Sequence, residues 1–304
     1  MGLVVGDAVG TTNEFQPAGS FEPITDMVGG GVFGLEPGQW TDDTSMVLCL
    51  ADSLLAQGRY DSFDVMERYD RWYKEGYRSS TGTCFDIGNQ VTHSVWDFRE
   101  QQRVPTSAER TTSAGNGAIM RLAPVVIAGF ESRDPREVVE TARLSARETH
   151  FSVEAEAATE VFAALLVGAL LGWSPQQLMD VSWASTGAAF DEMAARVISP
   201  DQQVRASWEA ETSGYIVNGL RLAVHGLLDF PSFKDATLAI ANMGGDSDTN
   251  AAIYGQLGGA FYGVEAIPAS WRTTLYQGEE IDQLARDLVD LRLEAPRTRF
   301  DEDL

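Results

Sequence analysis

Two short segments, far apart in the chain, each crowd carboxylates and hydroxyls directly against an apolar run. Thr41-Asp42-Asp43-Thr44 leads into SMVLCLADSLL, and Asp246-Ser247-Asp248-Thr249 leads into NAAIYGQLGGAFYG. Helix capping accounts for part of this. Thr41 can serve as an N-cap, and aspartates in a first turn complement the helix dipole. Capping does not call for carboxylates at both Asp246 and Asp248. If the two segments meet, four carboxylates in a low-dielectric cleft repel one another unless cations lie between them. Hard oxygen donors without a neighbouring His or Cys select Mg²⁺, Mn²⁺ or Ca²⁺ over zinc, and four carboxylates suffice for two bridged divalent ions. Spacing alone does not bring the segments together. The expectation to be tested is that Asp42 and Asp43 lie within reach of Asp246 and Asp248.

Other polar residues stand in settings where chemistry and plain structure compete. GDAVGTTNEF sets Asp7 and Glu14 around Gly6 and Gly10. Glu14 either joins the acidic site, directly or through water, or is a solvated loop acid. Asp7, in a helix-like stretch, is expected to be structural and to bond neighbouring backbone amides. Gly115-Asn116-Gly117 precedes an apolar helical pattern, so its amide N–H groups are expected to face outward. That is either a bare turn or a cradle for a pyrophosphate. Asp86 and Asn89 share the segment STGTCFDIGNQ. Asp86 is a turn residue there, or else a general base or the recogniser of a cationic group. His150 falls between two helical patterns, as a C-terminal cap or as a contact for phosphate or ribose. His93 and His225 lie in helical patterns and receive no role. Three scattered histidines make no zinc site, and there is no nucleophile elbow, P-loop or dinucleotide fingerprint.

The elements that must carry these residues are helical. Val47, Leu48, Ala51, Leu54 and Leu55 recur at helical spacing before Gly58; Phe63, Met66, Tyr69 and Tyr73 mark a second helix. Val138, Val139, Ala142 and Ser145 mark a third. Further helices are predicted over Phe151–Leu171, Ser213–Leu228, Phe233–Met243, Thr249–Tyr262 and Ile281–Leu293. Strand signals are scarce, so the fold class is all-α. Residues 19–39, rich in Gly and Pro, read as a long loop delivering the chain to Thr41; residues 199–214 read as a polar connection. Residues 294–304 read as a frayed tail. With no linker and no repeat, residues 1–304 form a single domain.

Composition narrows the partners. Among 304 residues, 45 Asp and Glu face 22 Lys and Arg, a formal net charge of -23. Such a surface repels phosphate backbones and anionic lipid, so neither a nucleic acid nor a membrane is an expected partner. Cys49 and Cys84 make no disulfide framework, which suits a reducing cytoplasm. MGLVVGDAVG lacks the basic region of a signal peptide. VFAALLVGALLGW, the most apolar stretch, is too short to span a bilayer.

Five blocks in order, GLVVGDAVGTTNEF, WTDDTSMVLCLADSLL, GNGAIMRLAP, ETHFSVEAEAA and GGDSDTNAAIYGQLGGAFYG, resemble the ADP-ribosylglycohydrolases. CFDIGN resembles the branch that reactivates dinitrogenase reductase by removing ADP-ribose from arginine. The resemblance implies one orthogonally packed multi-helix domain with two Mg²⁺ or Mn²⁺ ions in a cleft. It implies metal ligation by Thr41, Asp42, Asp43, Asp246, Asp248 and Thr249, with Glu14 beside the metals. Gly115, Asn116, Gly117 and His150 would contact ADP-ribose, with Asn89 nearby, and Tyr215 would pack on the ligand. Asp86, with Asp43 and Glu14, would carry the catalysis. The implied reaction is hydrolysis of ADP-ribosyl-arginine on a protein by a cytoplasmic monomer. The alternatives are a hydrolase of O-linked ADP-ribose (serine or O-acetyl conjugates) and a silent ADP-ribose-binding protein.

Overall fold

The computed structural model describes residues 1–104, 114–132 and 134–298. Among them the helices run α1 (Gly2–Gly10), α2 (Asp42–Gln57), α3 (Ser62–Glu75), α4 (Asn89–Gln101), α5 (Ala123–Gly129), α6 (Arg136–Ala146) and α7 (Val153–Leu170). The short α8 (Pro175–Leu178) is followed by α9 (Ala188–Val197), α10 (Gln202–Ser207), α11 (Ile216–Asp229) and α12 (Phe233–Ala241). The chain then forms α13 (Ser247–Tyr262), α14 (Ala269–Thr274) and α15 (Gly278–Asp290). The all-α expectation holds, and no helix among the described residues is long and apolar enough to cross a membrane.

Glycine at every fourth position of α1 decides how the two ends of the chain meet. Gly2, Gly6 and Gly10 share one face of the helix, and that face lies on α13. A Cβ added at these positions would stand 2.2, 2.1 and 2.4 Å from the carbonyl oxygens of Gly255, Ala251 and Ser247. Only hydrogen fits there, so the two backbones pack closer than any side chain allows. Behind them, α7 is buried for most of its length and apolar all round beyond Glu160, as a central core helix must be. Its N-cap Ser152 accepts from the Ala155 amide. Glycine ends α2 and α3 in the left-handed conformation, at Gly58 with φ 65° and at Gly76 with φ 68°.

Helix positions match the periodicity; the edges shift where caps, rather than apolar spacing, set them. Two connections differ from expectation. Residues 199–214, read as a polar connection, contain α10, because Asp201 caps it and buried Arg205 pairs with Asp229 at 2.7 Å. The tail is not frayed from residue 294. Strand β2 (Glu294–Arg297) pairs in parallel with strand β1 (Arg59–Asp61), and backbone pairing of this kind carries no apolar signature in a charged sequence. Residues 299–304 of that tail lie outside the described residues.

Candidate active site

The packing of α1 on α13 delivers Asp7 to the start of α2. One Asp7 oxygen accepts from the Thr41 amide at 3.0 Å and the Thr41 hydroxyl at 2.9 Å. The other accepts from the Thr44 amide at 3.0 Å and the Thr44 hydroxyl at 2.6 Å. Asp7 is therefore structural, but the amides it serves belong to a remote segment and not to its neighbours. Thr41 stands at the N-cap of α2 without capping it, because Asp7 has taken over that task. The Thr41 hydroxyl then lies 3.1 Å from Asp248 Oδ2 and 3.4 Å from Asp43 Oδ2. From the other side the Thr249 hydroxyl donates to Asp43 Oδ2 at 3.2 Å. The two acidic segments meet.

Their oxygens form two overlapping groups. Asp7, Asp43 and Asp248 bring carboxylate atoms within 4.8 Å of one another, and so do Glu14, Asp86 and Asp248. At that separation two unit charges repel by at least about 3.5 kcal/mol at an effective dielectric constant of about 20. Among the described residues no Lys or Arg pairs with Asp7, Glu14, Asp42, Asp43, Asp86, Asp246 or Asp248. One Thr41 proton cannot satisfy three carboxylates. Buried oxygens of Glu14 (Oε2), Asp43 (Oδ1) and Asp248 (Oδ1) have no hydrogen-bond partner, which is costly unless something cationic meets them.

Proton affinities carry the same signature. Burial, then the neighbouring carboxylates, pushes Asp42, Asp43 and Asp248 well above the usual range. Glu14 is raised to about 10 by burial and by Asp86. Asp86 is raised to about 7, mainly by burial, while hydrogen bonds to Asp248 and Glu14 pull it back. An all-oxygen donor set with orphaned lone pairs and no internal counter-charge fits hard divalent cations.

Beside this cluster stands the Gly115-Asn116-Gly117 corner. Asn116 Nδ2 donates to Asp246 Oδ2 at 2.5 Å, tying the corner to the acidic site. The Asn116 amide does not face outward, as a phosphate cradle would have it. It donates to the Gly214 carbonyl at 3.0 Å, in the bridge that pairs Gly115 with Tyr215. His150 is buried with its ring against both glycines; a Cβ at Gly117 would lie 2.7 Å from the imidazole Cε1. Burial and nearby Arg121 lower the His150 pKa to about 3, so the ring is neutral and can offer hydrogen bonds but not charge.

The whole of residues 1–297 matches the family model described as ADP-ribosylglycohydrolase. This chain belongs to the ADP-ribosylglycohydrolase family. It is 35% identical over 288 residues to the ADP-ribosylarginine hydrolase Tri1 of Serratia proteamaculans, covering 95% of this chain and 77% of that one. It is 31% identical over 280 residues to the ADP-ribosyl-[dinitrogen reductase] glycohydrolase of Rhodospirillum rubrum, covering 90% and 88% of the two chains. A solved structure titled ADP-ribosylglycohydrolase-related protein complex matches with a TM-score of 0.79 and 37% identity, covering 95% of each chain.

In this ADP-ribosylglycohydrolase, then, Thr41, Asp43, Asp86, Glu14, Asp248 and Thr249 converge. Asp42 is buried beside them, and Asp246 joins through Asn116. Tyr215 adjoins the glycine corner, where its hydroxyl donates to Glu154 at 2.5 Å and receives Arg196 at 2.7 Å. Asn89 opens α4 on an exposed position. Its neighbour Gln90 is the one that turns inward, donating to the Thr149 carbonyl at 2.8 Å.

Arg121 was missed, although it sits within GNGAIMRLAP. It is 1% exposed, donates to the Gly117 carbonyl, to Thr149 Oγ1 at 2.7 Å and to Glu148 at 3.3 Å. Thr149 Oγ1 in turn bonds His150 Nδ1 at 2.8 Å, and Tyr60 donates to Glu148 at 2.8 Å. An arginine inside an apolar run was the available signal, since a cation is buried only when paired.

Proposed function

We propose that the chain hydrolyses the N-glycosidic bond between ADP-ribose and an arginine side chain of a modified protein, regenerating free arginine. Two Mg²⁺ or Mn²⁺ ions would be held by Thr41, Asp42, Asp43, Asp246, Asp248 and Thr249. The observation that carries this reading is the sharing of Asp248 between two carboxylate groups, one of which includes Glu14 and Asp86. The names of the two arginine- and nitrogenase-directed relatives support the choice of linkage.

Bound cations would supply orientation of ribose hydroxyls and activation of water. The chain's own groups do the rest. Cleavage at the anomeric carbon develops oxocarbenium-like charge, which the Asp43 and Glu14 carboxylates stabilise. Asp86, grouped with Glu14 and Asp248, can hold the guanidinium by paired hydrogen bonds or exchange a proton with the leaving group. Asn116 with its flanking glycines, and neutral His150, would line the diphosphate. Tyr215 would pack on the ligand, with Asn89 at the outer edge. The two cysteines are free, which agrees with a reducing cytoplasm, where the enzyme would act as a monomer.

The test is release of ADP-ribose from arginine-, serine- and O-acetyl-linked conjugates, with Mg²⁺ or Mn²⁺ and with chelator. Metal-dependent release from the arginine conjugate, lost in Asp248→Ala, is expected. Equal release by wild type and variant would remove the metal assignment, and preference for an oxygen-linked conjugate would remove the arginine assignment.

A further inference from the structure

Large apolar side chains rim the acidic cluster on backbone that is held rigidly. Phe15 follows Glu14 and is 62% exposed; Val32 is 63% exposed and Val28 49%. Phe15 and Phe33 pack edge to face at 6.4 Å, and Phe33 and Phe85 at 5.0 Å. Phe85 immediately precedes Asp86. Phe15 and Asp86 both adopt the left-handed conformation, φ 60° and 59°, which L side chains avoid and which persists where the surroundings enforce it. Here the surroundings are visible. The Phe15 amide donates to the Gly245 carbonyl at 2.7 Å, and the Gly245 amide returns to the Gln16 carbonyl at 2.9 Å. The loop bearing Val28, Val32 and Phe33 is tied to the same segment: the Thr12 hydroxyl donates to the Gly29 carbonyl at 3.0 Å. Gly31 lies so near the Thr11 carbonyl that a Cβ would stand 2.3 Å from it.

Folding gains little from an exposed phenylalanine fixed in a strained backbone, so the arrangement points outward. A polypeptide whose arginine reaches Asp86 must leave the cleft past the residues adjoining positions 14 and 86, and those residues are the rings. Aromatic faces favour the cationic and apolar side chains such a segment brings. The chain's net charge of -23 favours a segment with basic residues near its arginine.

We infer that Phe15, Phe33 and Phe85, with Val32, seat the polypeptide that flanks the modified arginine and so favour a protein conjugate over free ADP-ribosyl-arginine. This rests on the arginine-directed reading above. The experiment measures kcat/KM for an ADP-ribosylated peptide with Leu and Lys beside its arginine, and for free ADP-ribosyl-arginine. Wild type, Phe15→Ser and Val32→Ser are compared. The peptide-to-free ratio is expected to fall about fivefold or more in at least one variant, the scale of losing a contact residue at an interface. An unchanged ratio in both variants, with wild type active on both substrates, overturns the rim's role alone. Wild type inactive on both overturns the arginine reading and the rim's role with it. Val32 lies outside the acidic cluster, so its ratio is independent of any disturbance of Glu14 by the Phe15 change.

Discussion

Gly6→Ala is a one-methyl perturbation of a site it never touches. The new Cβ would lie 2.1 Å from the Ala251 carbonyl oxygen, which is backbone in the middle of α13 and cannot swing away. Restoring ordinary contact requires α1 to retreat by about 1.3 Å, well beyond the roughly 0.5 Å that a preorganised site tolerates. Asp7 rides on α1 next to this glycine, so its four bonds to Thr41 and Thr44 stretch together. The start of α2 then loses its cap, and Asp43 moves relative to Asp248. Overpacking of this kind costs about 1–3 kcal/mol, or a Tm loss of about 2–5 °C for a domain of this size.

The diagnostic quantity is how much Mg²⁺ or Mn²⁺ raises the Tm over chelator, because that increment reports binding to the folded state alone. It should be large in wild type and reduced by more than half in Gly6→Ala. The control is Gly58→Ala, where the left-handed φ of 65° makes alanine costly but nothing lies within 4 Å. That variant should lose stability of about 1 kcal/mol and keep the full metal increment. If Gly6→Ala keeps the whole increment and full turnover, the close contact of α1 with α13 does not set the site's geometry.

Arg121→Met strands Glu148 in the interior and should cost about 3–5 kcal/mol in denaturant unfolding. Adding Glu148→Gln should recover part of that loss, while calorimetric ADP-ribose affinity stays weakened because the Gly117 carbonyl keeps no donor. The metal-free protein should lose stability between about pH 6.5 and 9, measured as Tm in chelator. In the fold, Glu14 and Asp86 are raised to about 10 and 7, so the folded state holds protons that the unfolded chain has released. His150, lowered to about 3, is neutral in both states across most of that window and adds no slope. Divalent cation should remove the share of the decline that Glu14 and Asp86 cause, leaving the share from Glu148, which burial also raises to about 7. A flat profile in chelator would refute the cause assigned to the decline.

The long core helices were legible because each carries its own apolar period, whereas the short α8, α10 and α14 and the surface helix α9 were not expected. The acidic site was legible because Asp246 and Asp248 exceeded what capping needs. The glycine corner was legible as a place, but not in its detail. Whether the Asn116 amide faces outward depends on Gly214, a residue far along the chain whose carbonyl happens to arrive there. Asp7 shows the same limit: its partners could not be read from its neighbours, because they are brought by a helix-on-helix contact. The glycines at positions 2, 6 and 10 did signal that contact, and their regular spacing was the hint left unused. Arg121 and Gln90 were obscured by better-known residues beside them. Strand β2 was invisible because its hold is backbone pairing with Arg59–Asp61.

The bond between the Ser247 hydroxyl and the Gly10 carbonyl spans 237 positions. On a ribosome, α1 emerges first and must wait for α13, a delay on the order of 10 to 50 s at ordinary elongation rates. Throughout that interval the bare glycine face of α1 has no backbone to lie on, and Asp43 lacks its partners from α13. Metal affinity is therefore acquired late and all at once, and a chain broken off before Asp248 carries two of the three carboxylates of each group and the whole of neither.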